Sequence, residues 1–487
     1  MRRLSASLLL SMVFSPAGLL FGAAPEDIPR PVPTTRPEMK RLLEDVKIRT
    51  PRIPLPELTE EEREKLGTQA DSYESRLRFH YLKGVDDGRN GNPMGRTGQG
   101  GAGRTGGGGG GRQEQEPGMT LENAFKVELF WIVSRVNNCQ YCMGHQESKL
   151  LAAGLSEDQI AALDSDWSGF KPAEQAAFAF ARKFSFEPHR LSDADIVELR
   201  KFYTDPQILE MILSMAGNNS INRWKEGVGV PQRKDEGGFS RVGRTDPTAP
   251  LEPGVVPKLP RGSYLTPTSP AFEKKVSRVA AIVVDSKTGE PTAATVCDRP
   301  ALESRPEVEK LLAACRQRKS RLPLVDETAA KTIVGDKWAA TGPLPNWVRL
   351  LATFPKSGVS RIASIKSTDE KGDLSPLLKA QLSWIIARQD RAWYAVGHAK
   401  MWLRQLGQTD EQIYGLDGDW KGFTPREQAL FTVVKHLGAS PVVLTDREVN
   451  QAVELAGPRD VVQTISYTTN RASFDRITEA AGLQLEE

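Results

Sequence analysis

The chain is poor in cysteine and histidine, with 4 and 5 among 487 residues. So few cysteines exclude a disulfide-built scaffold. So few histidines leave little room for metal or acid–base chemistry. A surplus of one charge sign is also missing: Lys and Arg total 65 against 62 Asp and Glu, a net charge of +3. This balance gives no electrostatic footprint for nucleic acid, and none is expected as a partner. Apolar residues make up only 39% of the chain, so part of it is expected to lie outside any packed core. Long hydrophobic runs are absent except at the N-terminus. There Arg2 and Arg3 precede an apolar run over 8–24 that ends in Gly22-Ala23-Ala24. The pattern reads as a signal peptide, with a membrane anchor as the alternative. A secreted or periplasmic location is the expectation.

Glycine and proline are plentiful and clustered. Residues 84–118 hold 15 of the 42 glycines, a composition expected to form a flexible insert. Residues 236–299 are dense in Pro, Gly, Ser and Thr and read as an interdomain linker. The segments on either side resemble each other at an offset of 253 residues. Glu128-Leu-Phe-Trp-Ile-Val-Ser-Arg135 faces Gln381-Leu-Ser-Trp-Ile-Ile-Ala-Arg388, and Asp164-Ser-Asp-Trp-Ser-Gly-Phe170 faces Asp417-Gly-Asp-Trp-Lys-Gly-Phe423. Pro172-Ala-Glu-Gln175 faces Pro425-Arg-Glu-Gln428, and Arg223 faces Arg476. Upstream, Arg52-Ile-Pro-Leu55 faces Arg321-Leu-Pro-Leu324 at an offset of 269, because the first segment is longer there. These matches predict a domain written twice, over 35–235 and 300–482.

Both copies read as helical. Apolar residues at 125, 129, 132, 133 and 136 approximate the 3.6-residue period over 122–136. Ser156 and Gln159 form a capping-box pattern. Pro172 suits the first turn of a helix over 173–184, and Ser192 or Asp193 caps the next. A further helix is expected over 208–224. The one β-like run, 279–284, precedes the second copy. The expected fold is all-α: two tandem helical domains.

Chemistry concentrates in Asn137-Asn-Cys-Gln-Tyr-Cys-Met-Gly-His145. A c-type haem needs His directly after the second Cys, where Met143 stands. Structural zinc needs four ligands. Cys139, Cys142 and His145 supply three at most, and His189 could complete the set. A thioredoxin-like site should follow a strand in a βαβ pattern, which is absent. A dithiol at the start of a helix remains. Asn137 and Asn138 are good caps and poor helix-interior residues. They should end one helix and start another, with Cys139 and Cys142 in its first turn. Three residues apart, both sulfurs share a side, and the helix N-terminus favours a thiolate. Folding back at this break should also bring Glu128 to the thiols as a proton acceptor. In the second copy the thiols become Ala392 and Ala395 and the carboxylate becomes Gln381, while His398 persists opposite His145. This links Glu128 to the thiols and leaves His145 between a catalytic and a structural role. Asp164 and Asp166 recur in both copies and read as turn or capping residues. Cys297 and Cys315 lie outside any motif and read either as a disulfide or as two inert thiols.

At these residues the chain resembles the carboxymuconolactone decarboxylase superfamily, within it the alkylhydroperoxidase-D-like, peroxidase-related branch. The resemblance implies thiol-dependent reduction of a hydroperoxide, oligomeric assembly and regeneration by an external thiol reductant. It assigns peroxide attack to Cys142, disulfide formation to Cys139, and proton relay to Glu128 and His145. The family pattern has His four residues after the second Cys, where this chain has Gln146. No cofactor and no metal is called for. The alternative is a non-catalytic binding or scaffold protein whose Cys pair is a structural disulfide or part of a metal site. Lactone decarboxylation ranks last, since a dithiol has no clear part in it.

Overall fold

A computed structural model describes residues 28–85, 116–232, 263–284, 291–293, 301–335 and 342–486. The expected signal segment, most of the glycine-rich insert, residues 236–262 of the expected linker and Cys297 lie outside these residues. The described chain is helical apart from one short antiparallel pair, Ile282–Val284 with Pro291–Ala293. That pair overlaps the β-like run and stands outside the helical body. Among the described residues no helix is long and apolar enough to cross a membrane.

Four helices form the heart of the first half: Asn123–Asn137, Gln140–Ala152, Pro172–Phe186 and Asp205–Val228. The second half has Pro376–Asp390, Trp393–Gln405, Pro425–Gly438 and the long Asp446–Ala480, which kinks at Gly457 (φ 81°) just before Pro458. The first three pairs start 253 residues apart, as in the sequence matches. Local chemistry sets their bounds. Ser156 and Gln159 exchange the two hydrogen bonds of a capping box, and Thr204 with Gln207 does the same ahead of Asp205–Val228. Asn138 adopts the left-handed conformation (φ 56°) that closes Asn123–Asn137. Arg391 does so at the matching place (φ 51°).

The halves pack as reciprocal partners. The Arg52 guanidinium donates to the carbonyls of Glu226 (2.8 Å) and Leu444 (2.9 Å) and to Asp446 (2.5 Å). Arg321 donates to the carbonyls of Glu479 (2.5 Å) and Leu191 (2.8 Å) and to Asp193 (3.0 Å). Arg223 reaches the Gly438 carbonyl at 3.0 Å, and Arg476 reaches that of Ser185 at 3.3 Å. Each contact repeats with the halves exchanged, the signature of a two-fold interface. Buried apolar residues of both halves form one contiguous core rather than two.

Part of the expected linker is tightly packed. Tyr264 is buried, its backbone N–H donates to Glu44, and Thr266 accepts from Lys40. Ser277 and Arg278 donate their backbone N–H groups to the carbonyls of Thr34 and Asp164. Its Pro/Ser/Thr composition favours extended chain, but Tyr264 and Val279 anchor it to the first half as a strap.

Candidate functional site

Cys139 is the N-cap of Gln140–Ala152. Its sulfur accepts the backbone N–H of Cys142 at 3.4 Å and lies 2.6 Å from the Cys142 sulfur. The turn at Asn138 thus produces the sulfur pair expected from the spacing. Phe130, Tyr141 and Ile221 pack around it. Cys139 is fully buried and Cys142 is 2% exposed.

Burial changes the expected chemistry of one thiol. The helix start was expected to favour a thiolate there. At Cys139 desolvation outweighs it, and the thiol is pushed well above its ordinary value. Cys142 and Glu226 add to the rise. Removing a sulfur from water costs the anion more than one N–H bond returns.

Glu128 takes up a different place from the expected one. The helices do fold back at Asn137-Asn138. Phe130 meets the sulfurs, and Glu128, two residues earlier, is turned about 200° from it at ~3.6 residues per turn. Glu128 instead faces the start of Pro172–Phe186. Its carboxyl is pushed up to about 7, first by burial and then by Glu174, with Lys171 opposing. The carboxylate beside the thiols is Glu226. It is 3% exposed, receives Arg49 at 3.1 Å and Arg30 at 3.6 Å, and its charge acts on Cys139. Burial raises its pKa, but Arg49, Arg30 and Arg52 together hold it below the usual range.

The neighbouring Lys225 interacts with the charge on Cys142. Its Nζ sits 4.4 Å from the Tyr141 ring centroid and is ion-paired with Glu74. Burial works against the ammonium, but Glu74, Tyr141 and Cys142 lift it to about 12. A cation therefore attends Cys142 while a carboxylate attends Cys139. At Cys139 the carboxylate opposes ionisation. The sequence reading missed Lys225 and Glu226, although the repeat held a signal for one. Lys225 faces Thr478 where the thiols become alanine, whereas Glu226 faces Glu479. Glu479 pairs with Arg318 at 2.9 Å and accepts the Trp393 N–H, which marks the Glu226–Arg49 pair as shared architecture.

His145 is half-buried and stands edge-on to Tyr141, ring centroids 4.7 Å apart. The same pair recurs without thiols as Tyr394 and His398 at 4.5 Å, where His398 Nε2 lies 3.2 Å from Glu486. His189 does not join the cysteines. Its charged neighbours are Arg391, Arg190, Glu303 and Asp390, and burial first, then the arginines, lowers its pKa to about 4. Among the described residues no group of three or more His, Cys, Asp or Glu is placed to hold a metal ion. Asp164 is a buried partner of Arg135 at 3.1 Å, and Asp166 caps Ser168, both structural tasks. Cys315 is buried against the Leu483 carbonyl.

No curated protein matches the chain. Residues 132–183, which carry both cysteines and His145, match the carboxymuconolactone decarboxylase family.

Proposed function

We propose that the first half is a thiol-dependent oxidoreductase that reduces hydroperoxides through a Cys139–Cys142 dithiol/disulfide cycle. One observation carries the reading: two adjacent sulfurs held in opposite electrostatic surroundings. In the proposed cycle the Cys142 thiolate attacks the distal peroxide oxygen. The O–O bond breaks, Cys142 becomes a sulfenic acid, and the alkoxide leaves and takes a proton to become an alcohol. The Cys139 thiol then attacks the Cys142 sulfur. A disulfide forms, and the hydroxyl leaves with the thiol proton as water. An external dithiol returns the pair to its reduced form by exchange. Lys225 favours the attacking thiolate, and Glu226 keeps Cys139 protonated until its turn.

The reading takes the chain as an internal duplication. The second copy, without thiols, replaces the subunit partner that lone family domains obtain by oligomerising. It also takes residues 1–24 as an export signal, which requires a reductant outside the cytosol. His145 and Glu128 keep the proton-relay roles implied by the resemblance. For Glu128 such a role runs through water rather than by contact.

Burial of both sulfurs favours a second reading, a scaffold protein with a structural Cys pair. Cys139→Ser and Cys142→Ser separate the two. Under a hydroperoxide, C139S should accumulate a sulfenic acid that a dimedone probe traps at Cys142, and C142S should trap nothing. Peroxide-dependent oxidation that persists in C142S, or wild-type thiols untouched by peroxide, would refute the peroxidase reading.

A further inference from the structure

The place held by thiols in the first half is hollow in the second. Phe130 and Cys142 correspond to Ser383 and Ala395. Both changes remove volume, and a cavity of about 220 Å³ stands there, lined by both replacements. A second space of about 400 Å³ adjoins it, sharing Asp369, His398, Arg471 and Phe474 as walls. Charged groups replace neutral amides alongside it: Asn218 and Asn222 correspond to Arg471 and Asp475.

Asp475 lines the smaller cavity and is 1% exposed, yet neither carboxyl oxygen has a hydrogen-bond partner among the described residues. Burial first and then Asp390 push its carboxyl well above the usual range. An unpaired buried carboxyl is costly to keep, and a bound donor is its natural complement. One helical turn before it, Arg471 bonds Asp369 and stacks on Phe474 and Tyr467, its guanidinium carbon 5.4 Å from each ring centroid. Its remaining donors make no hydrogen bond among the described residues. The two groups are four residues apart, a rise of ~6 Å. Trp402, Met401 and Phe474 provide apolar walls.

We propose that this cavity binds a small zwitterion, a free amino acid with an apolar side chain, with its amine on Asp475 and its carboxylate on Arg471. The second half is then a sensor or carrier module built on a thiol-free copy of the site. This assignment is independent of the peroxidase reading.

Titration calorimetry on the full chain tests it, with L-leucine, L-methionine and L-phenylalanine as probes. At least one should bind with a Kd below about 1 mM, a usual ceiling for measurable small-ligand sites. Asp475→Asn, which places the first half's residue there, and Arg471→Gln should each weaken binding tenfold or more. Phenethylamine and 3-phenylpropionate, which carry one charge each, should bind at least tenfold more weakly than phenylalanine. Ser383→Phe restores the first half's plug and should abolish binding while leaving the circular dichroism spectrum intact. No binding of any probe, undiminished binding in D475N or S383F, or equal binding of the half-ligands would overturn the proposal.

Discussion

Replacing Glu128 by Gln copies the second half, where Gln381 stands at the matching position. The substitution keeps size and shape and removes only the capacity to ionise. Glu128 is 9% exposed, and its carboxyl titrates at about 7 rather than 4.5, because burial and Glu174 oppose the charge. Between those values the folded state holds a proton that the unfolded state has released. Stability contributed by this group therefore falls as pH rises from 4.5 to about 7 and is level above. At ~1.36 kcal/mol per tenfold difference in protonation, the gap sets a ceiling of ~3 kcal/mol. Relaxation and water entry reduce this to ~1–2 kcal/mol in practice. E128Q should thus be more stable than the parent by that amount at pH 8 and equal to it at pH 4. Urea unfolding followed by tryptophan fluorescence at the two pH values measures the difference. A destabilised E128Q at pH 8, or a difference that does not change with pH, would refute the assignment of Glu128 to a buried, charge-averse site.

Lys225→Thr copies the residue 253 positions on and should slow alkylation of Cys142 several-fold at pH 7, measured with iodoacetamide on a C139S background. Gly144→Ala places a methyl carbon 2.6 Å from the Tyr264 hydroxyl oxygen. The 263–281 strap must then shift, at a cost of ~1–3 kcal/mol, so alkylation of Cys142 and limited proteolysis near residue 264 should both accelerate. Arg52→Met and Arg321→Met remove matching sets of hydrogen bonds between the halves. Each should cost ~2–4 kcal/mol by chemical denaturation, and the two values should agree within ~1 kcal/mol.

Much of the helical layout was legible because it rests on local rules. The capping box at Ser156, the cap at Ser192 and the apolar period over 122–136 each bind residues within one turn. The meeting of Cys139 and Cys142 is equally local, since a three-residue step on a capped helix settles it. Charge at the site was not legible, because it comes from elsewhere in the chain. Lys225 and Glu226, with their partners Glu74 and Arg49, act on the sulfurs only through packing of separate segments. The strap went unread for a similar reason: a Pro- and Ser-rich composition describes an extended chain but not the surface that Tyr264 finds.

By itself the sequence determined the helices that surround the site, where the two sulfurs meet, and that their counterparts are alanines. Periodicity, capping and spacing act within a few residues and leave their mark in the order of the chain. The tertiary structure alone decided that Glu128 turns away from the thiols while Lys225 and Glu226 flank them. It also decided that Cys139 loses its water, and that Ser383 and Ala395 leave a cavity around Asp475. Desolvation and charge proximity depend on which surfaces close over one another, and that becomes fixed only when the two halves pack into a single core.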